Sequence, residues 1–204
     1  MLLDSLSNIM EHVMSKKVSP IPRGYRTATT CLTVFDVDAS VAFYQAAFGA
    51  DLLTRQTGAD ESIATHATVK IGNSIIALNP EAPEQGIFAP LSLGASVGQV
   101  HLYVDDVDAS WDRAVEAGAI VRTAPFDAYW GDRTGLLADG NGHLWSIASK
   151  IENVSQEEIN KRARALAETD LAEAPPVAEL SIEDEFPLEQ AVTEELVAEP
   201  HVAA

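Results

Sequence analysis

The chain has 204 residues and a formal net charge of −18, from 31 Asp and Glu against 13 Lys and Arg, while 47% of it is apolar. Residues 165–204 hold 11 of the acidic side chains and no Lys or Arg, so residues 1–164 carry a net of only −7, ordinary for a folded body. The charge speaks against a nucleic-acid partner, the single Cys31 rules out an internal disulfide, and no apolar run reaches the ~18 residues of a membrane span, which together imply a cytoplasmic protein.

The chain opens on Met1-Leu2-Leu3-Asp4, without the positive start and long apolar centre of a secretory signal. Met14-Ser15-Lys16-Lys17 reads as a natural start, which makes residues 1–13 a short helical extension or an over-extended start and sets residues 1–17 apart from the body. With no secretory route, the sequon Asn153-Val154-Ser155 has no glycosylation role.

The body, residues 18–150, is written twice. Asp36-Val37-Asp38-Ala39-Ser40 recurs letter for letter as Asp106-Val107-Asp108-Ala109-Ser110. An alternating strand-like run precedes each copy, Cys31–Phe35 and His101–Asp105. A helix follows each, stopped at Gly49 and Gly118, with Asp38 and Asp108 placed as its caps. Residues 50–56 and 119–124 then read as second strands. Hairpins complete the two halves, residues 64–71 into Ser74–Leu78 through Gly72-Asn73, and residues 133–138 into His143–Ala148 through Asp139–Gly142. Each half, residues 28–79 and 98–149, is thus β-α-β-β-β, too small a sheet to be stable alone, so the two must pack together.

Beyond residue 150, Ser155 and Glu158 form a capping box for a helix running to about Ala167. Residues 168–204 are rich in Ala, Glu, Pro and Val and read as a disordered acidic tail; Leu180–Phe186 or Leu188–Val197 would be the peptide that docks on a protein partner.

The duplicated unit, with Phe43-Tyr44 on its first helix and Phe48-Gly49-Ala50 after it, resembles the vicinal oxygen chelate superfamily of glyoxalase I, bleomycin resistance proteins and extradiol dioxygenases. Ile21-Pro22-Arg23-Gly24-Tyr25, His66-Ala67, Trp130-Gly131-Asp132-Arg133 and Gly142-His143-Leu144-Trp145 are similar to its PhnB-like branch. The resemblance implies an α+β fold whose strands curl around a cavity, with modules paired within a chain or across a homodimer. Family enzymes bind a divalent metal with one side chain from the first and last strand of each module. Those positions fall here on Thr29, Ala77, Gln99 and Ser146, which offer neither imidazole nor carboxylate. No metal and no cofactor is therefore expected.

Strand parity puts Gln99, His101 and Tyr103 on the cavity side with Thr29, Cys31, Thr33 and Phe35, and turns Leu32, Val34, Leu102 and Val104 to the core. Such a lining suits a small organic ligand. His101 reads as a general base or as a hydrogen-bonded cavity histidine, and His66 as a ligand contact or a strand-end residue bonded to backbone. Tyr129, Trp130 and Arg133 could grip a planar or anionic ligand, or Trp130 could cover the sheet end while Asp127 or Asp132 pairs with Arg133. Asp139-Gly140-Asn141-Gly142 lacks the later Glu of a calcium loop and reads as a turn. The expected function is a metal-free, bleomycin-resistance-like protein that binds a small, partly aromatic molecule, with neither nucleic acid nor membrane as a partner. The alternatives are a glyoxalase-type lyase or isomerase, using His101 as base or an altered metal site with His66, and a scaffold working through its tail.

Overall fold

The computed structural model describes residues 18–173, with side chains to residue 168. The extension at residues 1–17 and most of the predicted tail lie outside the described residues. The chain divides into two units that meet between Ile159 and Asn160.

The first unit contains both modules. β1 (Thr30–Val34), α1 (Val37–Phe48), β2 (Asp51–Thr57), β3 (Ala64–Ile71) and β4 (Ser74–Pro80) form one, with strand order β1-β4-β3-β2. A linker with a short 3-10 turn, Pro83–Gln85, and a one-turn helix α2 (Pro90–Leu93) leads on. β5 (Gln99–Tyr103), α3 (Val107–Glu116), β6 (Ile120–Asp127), β7 (Asp132–Ala138) and β8 (Leu144–Lys150) form the second, in the matching order β5-β8-β7-β6. The first strand runs parallel to the last in each, as the β-α-β-β-β reading requires. The sequence pattern assigns no element to the linker, whose short turns carry no periodicity.

The caps are shifted from those expected. Asp36 and Asp106, rather than Asp38 and Asp108, accept the backbone N–H of Ala39 and Ala109, at 2.9 and 3.0 Å. A cap must have extended backbone and precede the first helical residue, and the helices begin two residues earlier than predicted, at Val37 and Val107. The second Asp of each repeat is instead held by an arginine from its own sheet: Asp38 by Arg55 of β2 at 2.7 Å, Asp108 by Arg133 of β7 at 2.8 Å. Gly49 ends α1 in the left-handed region at φ 64°, as expected.

Each helix covers one face of its sheet. Leu32, Val34, Val69 and Leu78 are buried under α1, and Leu137, Trp145 and Ile147 belong to the same continuous core, so neither module has a core of its own. Gly135 is where α3 approaches most closely: a Cβ there would lie 2.5 Å from the Trp111 ring.

The modules are joined by the loop after β7. Asp139 Oδ2 accepts from Tyr44 Oη of α1 at 2.7 Å and from Trp145 Nε1 at 3.0 Å, while Oδ1 accepts from the backbone N–H of Asn141 and His143. Asn141 Oδ1 accepts from Phe35 N at 2.9 Å, its Nδ2 donates to Ser40 Oγ, and His143 Nε2 donates to the Thr33 carbonyl at 2.8 Å. Burial, then the charge of Asp139, pushes the Tyr44 phenol well above its ordinary range, so it stays a donor. Phe48 and Tyr44 pack on Trp145 with ring centroids 4.5 and 5.1 Å apart, so an apolar contact backs the polar one.

The final helix, α4 (Gln156–Glu173), opens with Ser155 Oγ accepting from Glu158 N at 3.2 Å, as the capping box predicts, and runs past the expected end at Ala167.

Removing the Asp139 side chain strands two buried donors at about 1–3 kcal/mol each. Asp139→Ala is therefore expected to cost about 2–6 kcal/mol in urea unfolding, and Tyr44→Phe, which leaves Asp139 its other three donors, about 1–2 kcal/mol.

Candidate functional site

The strand parity expected from the sequence appears in the exposure pattern. Along β5, Gln99, His101 and Tyr103 are exposed while Val100 and Leu102 are partly covered; along β1, Leu32 and Val34 are buried while Cys31 is exposed. The first group lies on the sheet face turned away from the helices.

Two clefts of about 280 Å³ each open between β1 and β5, sharing Thr30, Gln99 and Val100. One is lined by Cys31, Thr33, Gln99 and His143 beneath Phe88, Leu93 and Val97 of the linker. The other holds Gln99 and His101 beside Ile75. The expected site residues Cys31, Thr33, Gln99 and His101 therefore gather at this seam, whereas Phe35, His66, Tyr103, Trp130 and Arg133 line neither cleft. The linker residues Phe88, Leu93 and Val97 were missed because nothing in their spacing marks a lid; their only signal is large apolar side chains in a segment rich in Pro, Gly and Ser.

His66 and His101 belong to different sheets. His66 Nδ1 lies 2.9 Å from Asn79 Oδ1 on β4, and His101 Nδ1 lies 2.9 Å from Ser146 Oγ on β8. The four metal positions do not fit a divalent ion in this chain. Ala77 has no donor atom, Ser146 is committed to His101, and Thr29 and Gln99 offer neutral oxygens. Among the described residues no three His, Cys, Asp or Glu side chains form a set that could hold a metal.

Arg133 is held on two sides, by Asp108 and by Asp127 at 2.9 Å, which raises its pKa further and leaves its guanidinium engaged within the chain rather than free for a ligand. Trp130 is likewise tied inward, its Nε1 donating to Asp132 Oδ2 at 2.9 Å. Asp132, 2% exposed, also accepts from Tyr103 Oη at 2.8 Å and faces Lys150 Nζ at 3.1 Å. The sequence offers Asp132 only as a partner for Arg133. Cross-strand pairing with Lys150, and the reach of Tyr103 Oη from two strands away, make it the centre of this cluster instead.

Burial alone would raise the Asp132 pKa, but the bonds from Tyr103, Lys150 and Trp130 and the Lys150 charge outweigh it and hold the carboxyl below its ordinary range. The stability this contributes is fully present above the ordinary carboxylate range and is lost as pH falls through the lowered value. Urea midpoints measured across the acid range should therefore fall less steeply for Asp132→Asn than for the parent protein.

The family profile described as Glyoxalase/Bleomycin resistance protein/Dioxygenase superfamily matches residues 26–147, which spans both modules. An uncharacterized protein of Mycobacterium tuberculosis strain H37Rv is 40% identical over 131 residues, covering 63% of this chain and 76% of its own. An uncharacterized protein of Mycobacterium bovis is 40% identical over 131 residues, covering 63% of this chain and 86% of its own. Among solved structures, the Arabidopsis thaliana gene product AT5G48480 shares the fold, with a TM-score of 0.50 and 22% identity over 61% of this chain and 98% of that one.

Proposed function

Because the chain belongs to the glyoxalase/bleomycin resistance protein/dioxygenase superfamily, we propose that it works as a metal-independent binding protein for a small, partly aromatic molecule. The ligand sits in the seam between β1 and β5. The observation that carries this reading is the chemistry of the four positions where a metal would be held: Thr29, Ala77, Gln99 and Ser146 are neutral, and one has no donor at all. The cleft beneath Phe88, Leu93 and Val97 is lined mainly by apolar groups with a few polar ones, as small-molecule sites are, and the one beside His101 is polar and apolar in equal part.

The working form is a homodimer. All the residues of β2 but Thr57 are exposed, Leu52 and Leu53 among them, and β6 exposes Ile120, Val121 and Phe126. A second copy covering these strands would remove two apolar sheet edges from water. The motif around Trp130 and the Ile21–Tyr25 segment favour the PhnB-like branch.

Native mass spectrometry of dialysed protein should report a dimer with a carried small molecule and no stoichiometric divalent metal, and a chelator should leave ligand occupancy unchanged. Retained metal together with loss of ligand on chelation would overturn the proposal. Gln99→Ala, which removes a polar group shared by both clefts, is expected to weaken ligand binding by about 1 kcal/mol, roughly fivefold.

One observation favours a second reading, a lyase or isomerase with His101 as general base. The imidazole is exposed while its Nδ1 is fixed by Ser146. A turnover assay with candidate glyoxalase-type substrates should lose at least tenfold on His101→Ala if that reading holds.

A further inference from the structure

The open face of the second sheet carries a chain of hydroxyl groups whose protons can be followed one by one. Thr134 of β7 is buried, and its Oγ1 donates to the Ile147 carbonyl at 3.0 Å. A hydroxyl has a single proton to give, so towards Ser146 Oγ, 3.4 Å away, Thr134 acts as the acceptor. Ser146 is then the donor of that pair, and with its proton directed to Thr134 its oxygen accepts from His101 Nδ1, at 2.9 Å. The opposite arrangement, Ser146 donating to an unprotonated Nδ1, makes one bond fewer and sets two oxygens lone pair to lone pair in a buried place. The His101 proton therefore belongs on Nδ1.

Nε2 then carries the lone pair, and the bonds to His101 among the described residues leave it open. The ring is steadied on its other side by the Tyr103 ring, 4.7 Å away and edge-on, whose hydroxyl is anchored on Asp132. Ser146 and His101 do not make a nucleophile and base. Ser146 is 9% exposed and its proton is directed away from the imidazole.

We infer that His101 is an acceptor held in one tautomer, with Ser146 and Thr134 as positioning residues, and that the ligand presents an O–H or N–H donor on a planar ring, as a phenol does. The ligand class rests on the binding reading above. The tautomer is a property of the ligand-free chain and stands or falls without it.

The test is two-bond ¹H–¹⁵N correlation of the full chain labelled with ¹⁵N-histidine, recorded with the imidazole neutral and assigned with His101→Phe. The parent protein should show His101 with its proton on Nδ1. Ser146→Ala removes the acceptor, and Thr134→Val frees the Ser146 hydroxyl to donate to Nδ1, so both should move the proton to Nε2. A role for these residues in folding alone would leave the tautomer in place. A parent protein with the proton on Nε2, or variants in which neither signal pattern changes, would overturn the assignment. Addition of phenol should displace the Nε2 resonance and addition of methoxybenzene should not. Equal displacement by both, or none by phenol, would overturn the ligand class while leaving the tautomer standing, and metal retained in native mass spectrometry would overturn the binding reading and the ligand class with it, without bearing on the tautomer.

Discussion

The buried carboxylate of Asp139 is the contact on which the rest of the body depends. Its four donors come from α1, from β8 and from the backbone of its own loop. A carboxylate taken out of water is tolerated only when each oxygen is satisfied, so the loop, the helix and the strand must all be in register before the charge can be buried. The same loop caps the end of β1 through Asn141 and His143. That places β1 beside β5, and the clefts open along this seam. The clefts are a product of the clamp rather than of either module.

The clamp also shows how the duplication has diverged. In the first module the last hairpin turns through Gly72 and Asn73, both exposed. In the second the corresponding turn is longer and reaches into the other module. The helices differ in the same sense. α1 carries Tyr44 and Phe48, which project onto Trp145, while the matching positions along the second repeat are Ala114 and Gly118. Aromatic side chains from one helix fill the gap that small residues on the other leave, as close packing demands.

Most of the fold was legible because its signals are local. A repeated pentapeptide, a Gly stop and two-residue periodicity are each written within a few residues, and they placed every strand to within two or three positions. The cap assignment failed at that same scale, since two aspartates two apart, Asp36 and Asp38, serve equally well on paper. Only the geometry of the first turn and the nearby Arg55 separate them. The candidate clefts were legible where parity decides their lining, for Cys31, Thr33, Gln99 and His101. The inward bonds of Arg133 and Trp130 were half legible: Asp127 was offered as a partner of Arg133 and is one, whereas Asp108 is brought near only by folding, and the bond from Trp130 to Asp132, two residues on, depends on the conformation of the turn between them. The loop Asp139–Gly142 was read as a turn, which it is, but its reach into the other module has no sequence signature: the partner Tyr44 lies far away along the chain.

The position of Ser146 connects the lack of a metal-holding set among the described residues to the chemistry that the face offers. At a place where a metal-binding relative would carry a charged or imidazole ligand, a serine leaves a short neutral side chain that cannot hold an ion but can orient a neighbour. The neighbour is His101, directly across the β5–β8 pairing. A metal would act on a ligand as a Lewis acid, drawing electron density from an oxygen. An imidazole with its Nε2 lone pair open does the reverse, accepting a proton or a hydrogen bond. With the proposed tautomer, the face offers a hydrogen-bond acceptor where a bound metal would offer a Lewis acid, and the strands, helices and clamp that build the face serve either chemistry.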